Sequence, residues 1–85
     1  MFYVYILKSK RTAKYYIGQT ENLENRLNQH NSGYSLSTKG GIPWELAYYE
    51  EYELREEAVQ RETALKKKKS RKYIEYIIEL GGASR

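Results

Sequence analysis

The sequence predicts an α+β fold, a three-stranded antiparallel sheet flanked by helices in the order β-β-α-β-α-α. Two runs rich in Tyr, Val and Ile lie close together near the amino terminus, and a third lies in the middle of the chain. The first two runs must pair antiparallel, because a parallel pair needs a long crossover connection. Two amphipathic segments follow the third run. Helices are required, since a sheet this small is stable only when they bury a face of it.

The first half of the chain predicts two strands and a helix. Residues 2–9 alternate in character and form the first strand, and a short polar loop leads to the second strand at residues 15–20. Gly18 is interpreted as a tight turn that closes this strand. Asn22 suits the N-cap of a helix over residues 23–31, and Gly33 suits its end.

The second half predicts a long loop, a strand and two helices. Residues 32–43 lack periodicity, and loops of this length are often functional. A strand over 44–52 and a helix over 54–68 follow, and Ser70 can cap a last helix over 71–80. That helix turns four apolar residues inward: Tyr73, Ile74, Ile77 and Ile78. We expect one domain over residues 1–80 and a flexible tail over 81–85.

Composition excludes several classes of protein and of site. The 85 residues suit one folded domain, with 40% hydrophobic and 31% charged content. The absence of cysteine excludes disulfides and thiolate metal sites, and one histidine cannot form a multi-histidine site. Aspartate is absent too, and no glycine-rich phosphate loop is present. Without a signal-like amino terminus or an apolar run of roughly 20 residues, we expect a cytoplasmic protein with no membrane partner.

The net charge of +4 is unevenly distributed. Basic blocks at residues 1–20 and 58–72 flank an acidic block at residues 45–57. This pattern suits a polyanion-facing surface, although lysine runs are often merely solvated. The candidate nucleic-acid contacts are Lys8, Lys14, Lys39, Lys66, Lys67, Lys68, Lys69, Arg71 and Lys72.

The predicted helix over 54–68 contains an unusual carboxylate. Its inner stripe is made of Leu54, Ala58 and Leu65, with Val59 beside it, and Glu62 occupies the stripe position between Ala58 and Leu65. An unpaired buried carboxylate is costly, so the side chain needs a cation. A salt bridge to Arg61 or Lys66 is the structural explanation, and a metal ion is the functional one.

Arginine, histidine and tyrosine supply the remaining candidate chemistry. Arg26 and His30 are four residues apart and project from one helix face. In the first strand, Tyr3 and Tyr5 share one face and aliphatic residues share the other. Only one face is expected to be the main core, which leaves the Tyr5 hydroxyl available. This set of side chains suits phosphodiester hydrolysis. A hard divalent cation binds the glutamate, arginine neutralises charge on the phosphate, and tyrosine or histidine handles the proton.

Motif spacing makes the resemblance specific. Tyr3-Val4-Tyr5 is followed, after ten intervening residues, by Tyr16-Ile17-Gly18. The sequence resembles the GIY-YIG nuclease superfamily, particularly its small single-domain bacterial members, over residues 2–80. The positions that match in order and spacing are those two motifs together with Arg26, His30 and Glu62.

The resemblance implies an endonuclease that hydrolyses DNA phosphodiester bonds, with a role in DNA repair or processing. Tyr5 would be the general base for the attacking water, directly or through His30, and Tyr16 would position the water or phosphate. Arg26 would stabilise the pentavalent phosphate, and Glu62 would hold one Mg²⁺ or Mn²⁺. A phenol with an ordinary pKa of about 10 is scarcely ionised at pH 7, so we expect Arg26 and the cation to favour the phenolate.

Three departures from the family pattern lie beside these matches. Tyr3 replaces the glycine of the first motif, Gln19 replaces a lysine that is frequent in the repair nucleases, and a late asparagine has no counterpart at residues 70–72. A catalytically weak nucleic-acid-binding module is therefore the alternative function. A protein-interaction adaptor using the acidic strand over 45–53 is a third. No targeting domain is recognisable, so we expect recognition of DNA structure or delivery by a targeting protein.

Overall fold

The structure is a computed structural model, and it describes residues 1–81. Its elements follow the predicted order: β1 (Phe2–Ser9), β2 (Tyr15–Thr20), α1 (Leu23–Asn31), β3 (Trp44–Tyr52), α2 (Arg55–Lys68) and α3 (Arg71–Gly81). A short 3₁₀ turn at Lys39–Gly41 lies in the predicted loop. The strand order is β2-β1-β3, antiparallel on both sides of β1. The predicted α+β class and element order are confirmed.

The predicted caps of α1 are present. The Asn22 side chain accepts a hydrogen bond of 3.0 Å from the backbone N–H of Asn25, which satisfies one of the free donors at the start of the helix. Gly33, just past the C-cap, has a φ of 80°, where glycine is favoured. These two residues orient a nine-residue helix whose inner side faces the sheet.

The ends of α2 and α3 differ slightly from the prediction. Leu54 is the N-cap of α2 rather than its first helical residue, with an extended backbone. Ser70 caps α3 as expected, accepting from Tyr73 N at 3.2 Å, and Gly81 is the last residue of the helix rather than the first of the predicted tail. The rest of the predicted tail, 82–85, lies outside the described residues. Within residues 1–81, no helix is long and apolar enough to cross a membrane.

Both faces of the sheet are buried, which corrects the expectation of a single main core. On one face Val4 and Ile6 pack with Ala58 and Leu65 of α2 and with Ile74 and Ile77 of α3. On the other, Tyr5 and Leu7 pack with Trp44, against partly buried residues of α1. As the central strand, β1 is covered on both sides. The Tyr5 hydroxyl therefore lies in a packed cluster.

The inner stripe of α2 is narrower than predicted. Ala58 and Leu65 are fully buried, but Leu54 and Val59 are exposed. Leu54 precedes the first helical turn, so the helical period does not apply to it. The predicted inner face of α3 is confirmed, since Ile74 and Ile77 are buried and its other two apolar residues pack against them.

Candidate active site

Tyr5 lies across Gly18 of the neighbouring strand. The two residues are register partners in the β1–β2 pair. A Cβ atom built on Gly18 would lie 2.5 Å from the Tyr5 hydroxyl oxygen, closer than real contacts allow. Gly18 is inside β2, so its interpretation as a turn is wrong. Its lack of a side chain makes room for the Tyr5 phenol.

Helix α1 places the side chains of Arg26 and His30 on this phenol. His30 Nε2 is 3.1 Å from the Tyr5 hydroxyl, and Arg26 Nε donates to the same oxygen at 3.4 Å. Tyr5 and His30 are fully buried, whereas Arg26 is partly exposed. The spacing of four residues thus produces the predicted convergence, with Tyr5 between a cation and an imidazole.

Tyr16 packs against the same cluster of rings. It lies two residues before Gly18 and therefore on the same face of β2. Its ring centroid is 4.9 Å from that of His30, 6.3 Å from that of Tyr5 and 6.4 Å from that of Trp44. The structure thus brings together four of the five predicted catalytic residues: Tyr5, Tyr16, Arg26 and His30.

Thr38, which the sequence did not single out, touches the site from the long loop. Its hydroxyl is 2.8 Å from His30 Nδ1, and its side chain is buried. Trp44 Nε1 donates to the Thr38 carbonyl at 2.8 Å. The Asn31 side chain accepts from Trp44 N and donates to Trp44 O. No periodicity marks Thr38, because the contact joins a loop to a helix.

The acid–base properties of the cluster differ from the expectation for Tyr5. Burial raises the pKa of Tyr5 above 10.0, although the hydrogen bond from Arg26 opposes this. The Tyr16 and Glu62 charges add to the increase. Arg26 therefore favours the phenolate, as expected, but the effect of burial on the pKa of Tyr5 outweighs it. Burial, and then the charge of Arg26, lower the pKa of His30 below 6.5, so its imidazole is neutral at pH 7.

Arg26 has a positive charge that no carboxylate neutralises within residues 1–81. Its guanidinium contacts the Tyr5 hydroxyl and donates to Gln29 Oε1 at 2.9 Å. The four ion pairs of this region join other residues. The hydrogen bond to Tyr5 is the main reason that the pKa of Arg26 is raised. A partly exposed guanidinium with neutral partners is suited to bind an anion.

Glu62 lies beside this cluster rather than in it. Its side chain is 20% exposed and forms an ion pair of 2.8 Å with Lys66, one of the two partners predicted. Helix α2 packs against β1 and β2, and the charge of Glu62 contributes to the raised pKa of Tyr5. Glu62 is therefore half-buried and close enough to influence the pKa of Tyr5, and a cation is already paired with it.

The candidate site offers a divalent metal ion one carboxylate, that of Glu62. Within residues 1–81, no group of three or more His, Cys, Asp or Glu side chains is placed to hold a metal ion. Mg²⁺ commonly keeps several waters and binds through one or two carboxylates plus substrate phosphates. The Glu62 carboxylate is the type of ligand that such an ion takes, and Lys66 is paired with its Oε2 atom.

Only some of the predicted nucleic-acid contacts converge. A groove of about 430 Å³ runs along the edge of β2, and its basic lining residues are Lys14, Lys66, Lys69 and Arg71. Lys8 and Arg71 lie over the Tyr15 ring, and Lys68 lies over the Tyr73 ring. Lys39, Lys67 and Lys72 are exposed and do not line this groove. The basic residues at the end of α2 and the start of α3 therefore divide into those that line the groove and those that do not.

The acidic strand does not present a continuous acidic face. Glu50 of β3 is 8% exposed, and its carboxylate accepts from Arg61 Nε at 3.0 Å and Arg61 Nη2 at 3.1 Å. The hydroxyls of Tyr48 and Tyr52 donate to the same carboxylate. Sequence reasoning treated Glu50 as one acid among several. The alternation of β3, which places it on the same face as Tyr48 and Tyr52, could have identified it.

Gln19 stands at the position where the repair nucleases often have a lysine, and its side chain lies away from the Tyr5 cluster. It follows Gly18 and so points to the opposite face of β2 from Tyr16. Its Oε1 atom is buried and has no hydrogen-bond partner within the described part of the chain. Gln19 therefore does not belong to the Tyr5 cluster.

Comparison with known proteins agrees with the geometry. The family model for the GIY-YIG catalytic domain matches residues 1–74. A UPF0213 protein of Clostridium perfringens is 46% identical over 68 residues, which are 79% of this chain and 72% of the relative. A UPF0213 protein of Streptococcus pneumoniae is 37% identical over 78 residues, covering 91% of this chain and 78% of the relative.

A solved structure has the same fold. The solution NMR structure of a UPF0213 protein from Bacillus halodurans matches with a TM-score of 0.61 and 32% identity. The match covers 99% of this chain and 89% of that one. With the Tyr5–Gly18 contact, the convergence of Arg26 and His30 and the family match over residues 1–74, this chain belongs to the GIY-YIG nuclease family.

Proposed function

We propose that this chain is a metal-dependent endonuclease that hydrolyses phosphodiester bonds in DNA. The observation that carries the proposal is the Arg26 guanidinium, which lies against the Tyr5 phenol and has no carboxylate partner within residues 1–81. A phosphate bound there would place its phosphorus beside Tyr5, and the positive charge would stabilise the pentavalent transition state.

Tyr5 and His30 would act together as the base. Tyr5 can take a proton from the attacking water while it passes its own proton to His30 Nε2, 3.1 Å away. The phenol is neutral before and after this transfer, and the imidazole becomes imidazolium. No free phenolate has to accumulate, so the raised pKa of Tyr5 is compatible with the role. The lowered pKa of His30 leaves a ring nitrogen free to accept the proton.

Tyr16 and Glu62 would arrange the reactants. Tyr16 lies against the His30 ring and would position the water or phosphate. Glu62 would hold Mg²⁺ or Mn²⁺, which when bound would neutralise charge on the phosphate. The groove along β2, with Lys14, Lys66, Lys69 and Arg71, would bind the DNA backbone. Lys66 is paired with Glu62, so it links the groove to the carboxylate.

The biological setting is proposed from the same site. The basic side chains that line the groove suit phosphates, which carry no sequence information of their own. We therefore propose recognition of DNA structure, such as a branch, or delivery by a targeting protein. We also propose that it acts on such a substrate in DNA repair or processing, in the cytoplasm.

Cleavage assays on branched and supercoiled DNA test the proposal. Wild-type protein should cleave only with Mg²⁺ or Mn²⁺, and both Glu62→Ala and Glu62→Gln should abolish cleavage. Glu56→Gln is the matched control, because Glu56 is an exposed acid on the same helix. Metal-independent cleavage, or a Glu62→Gln variant that cleaves at the wild-type rate, would contradict the proposed mechanism.

The second candidate is a nucleic-acid-binding module with little activity. The ion pair between Lys66 Nζ and Glu62 Oε2 favours it, because an ammonium group holds the carboxylate that a metal would need. This candidate predicts DNA binding that depends on the groove lysines, without cleavage in either metal.

A further inference from the structure

His30 is held at both ring nitrogens by hydroxyl groups. On one side Nε2 is 3.1 Å from the Tyr5 hydroxyl, and on the other Nδ1 is 2.8 Å from the Thr38 hydroxyl. All three side chains are buried. The function proposed above uses Nε2 and leaves the Thr38 hydroxyl unexplained.

The surrounding groups decide the direction of these hydrogen bonds. The Thr38 hydroxyl has an acceptor of its own, the Ser35 carbonyl at 3.4 Å, so it can receive a hydrogen bond from His30 Nδ1–H. The Tyr5 oxygen accepts from Arg26 Nε, so its own hydrogen is free to point at His30 Nε2. In this arrangement each of these donors has an acceptor.

The opposite arrangement satisfies fewer groups. If Thr38 donated to Nδ1, the neutral imidazole would have its hydrogen on Nε2 and would donate to Tyr5. The Tyr5 oxygen would then accept from both His30 and Arg26, and its hydrogen would have no acceptor in the cluster. The Ser35 carbonyl would lose the Thr38 hydroxyl hydrogen but would keep its hydrogen bond from Thr38 N at 3.2 Å, so the cost lies in the Tyr5 hydrogen. A buried donor without a partner is costly, which disfavours this arrangement.

We propose that Thr38 is a positioning residue that holds His30 as the Nδ1–H tautomer, so that Nε2 faces Tyr5 as a proton acceptor. The hydrogen bond at one ring nitrogen commonly fixes the state of the other. The catalytic consequence rests on the proposed function, in which His30 accepts the proton of Tyr5. The tautomer itself is a property of the protein without DNA and is measured separately.

The Thr38 hydroxyl can be removed without dismantling the loop. The backbone of Thr38 is held through its carbonyl by Trp44 Nε1, and the Asn31 side chain holds the Trp44 backbone at 2.6 and 2.9 Å. Thr38→Val replaces the hydroxyl by a methyl group of similar size. Thr38→Ser keeps the hydroxyl. Ser37→Ala is a matched control, since the exposed Ser37 hydroxyl contacts Ser35 and not His30.

Nitrogen-15 NMR of the imidazole gives a direct test. The chain has one histidine, so its ring resonances need no assignment among others. Wild type, Thr38→Ser and Ser37→Ala should show a protonated Nδ1 and an unprotonated Nε2 near pH 7.5. Thr38→Val should shift the population towards the Nε2–H tautomer. A wild-type spectrum with protonated Nε2, or a Thr38→Val spectrum unchanged from wild type, would overturn the proposal.

Kinetics then test the catalytic consequence. Thr38→Val should reduce the single-turnover cleavage rate by about ten- to a hundredfold, the range found when a partner that orients a metal-binding histidine is lost. Thr38→Ser should restore most of the rate. Apart from Thr38, the groups that face His30 are Tyr5, Tyr16 and Arg26, and none of them is altered. Full activity of Thr38→Val would also overturn the proposal, whereas a wild type that cleaves no DNA would contradict the nuclease function and leave the tautomer result standing.

Discussion

Each face of the sheet contains tyrosines gathered around one arginine. In one of the two clusters the arginine is paired with a carboxylate, and in the other it is not. On the face covered by α2 and α3, Arg61 forms two hydrogen bonds with Glu50, and two tyrosines donate to the same carboxylate. On the face covered by α1, Arg26 donates to the phenol of Tyr5 and forms no ion pair within residues 1–81.

The comparison shows how similar residue types serve stability or chemistry. In the Glu50 cluster every charge is matched. Burial, and then the hydrogen bond to Glu50, raise the pKa of Tyr52 to about 12, and the hydrogen bond to Glu50 raises the pKa of Arg61. A cluster whose charges are already paired is not expected to bind a further ion. In the Tyr5 cluster the arginine is opposed by neutral groups, and its unmatched charge is available to a phosphate. The two clusters therefore differ in whether the arginine is paired with a carboxylate, and not in whether tyrosines are present.

Removal of the Tyr5 hydroxyl should produce the largest difference. We expect Tyr5→Phe to fold normally and to lose cleavage by about 10²- to 10⁴-fold, the range for a general base. Tyr52→Phe is the matched change in the other cluster and should leave the cleavage rate unchanged. Single-turnover cleavage, with circular dichroism to check folding, measures both. Equal rates for Tyr5→Phe and wild type would show that the base is another group.

Loss of Glu50 should affect stability instead of chemistry. Glu50→Gln leaves Arg61 without its anion, and breaking a buried pair on one side costs about 3 kcal/mol of unfolding free energy. Arg26→Gln should change stability by less than about 1 kcal/mol, because no carboxylate loses a partner, while it removes cleavage. Urea denaturation of the two variants measures the contrast. A similar loss of stability in both would mean that the two arginines are equivalent.

Acid should weaken the two clusters in different pH ranges. The pKa of His30 is lowered below 6.5, so the unfolded chain takes up a proton first and stability falls as pH drops below about 6.5. Burial alone would raise the pKa of Glu50, but hydrogen bonds from Arg61, Tyr48 and Tyr52 lower it below 4.5. Its contribution is present above about 4.5 and is lost as pH falls further.

Denaturation curves at a series of pH values separate these two contributions. His30→Gln should remove the loss that begins near pH 6.5, whereas Glu50→Gln should remove the one that begins near 4.5. An unchanged pH profile in either variant would assign that loss of stability to a different group.

The groove should influence the salt dependence of DNA binding. Replacing Lys69 and Arg71 with glutamine should reduce the slope of log affinity against log salt by about 0.9 for each phosphate that is no longer neutralised. Replacing Lys67 and Lys72, which do not line the groove, should leave the slope nearly unchanged. Fluorescence anisotropy over a salt series measures it, and equal slopes in the two double variants would place the DNA elsewhere.

The smallest expected effect is on the stability of a Glu62 variant. As an unpaired buried anion, Glu62 would be expected to destabilise the fold, but its ion pair with the half-exposed Lys66 removes that reason. Glu62→Gln should therefore change the unfolding free energy by no more than about 0.5 kcal/mol, as for other helix-surface pairs. Thermal melts measure it. A clear gain or loss of stability would show that Glu62 is paired differently in solution.

The sequence by itself determined the local structure and the spacing of the candidate residues. Period-two and period-3.6 patterns, together with cap residues such as Asn22 and Ser70, placed all three strands and all three helices of residues 1–81, because these signals depend on near neighbours in the chain. The spacing of Arg26 and His30 put both on one helix face for the same reason. Family resemblance, rather than periodicity, ranked Tyr5 above the other tyrosines.

Tertiary structure decided what those residues can do. Packing on both faces of β1 buries the Tyr5 phenol and raises its pKa, against the effect expected of Arg26. Contact with Tyr5 gives Gly18 its role, which the chain around it does not indicate. Pairing distinguishes Glu50, matched to Arg61, from Glu62, matched to the half-exposed Lys66. Burial and charge pairing depend on groups far apart in sequence, so only the folded chain brings them together.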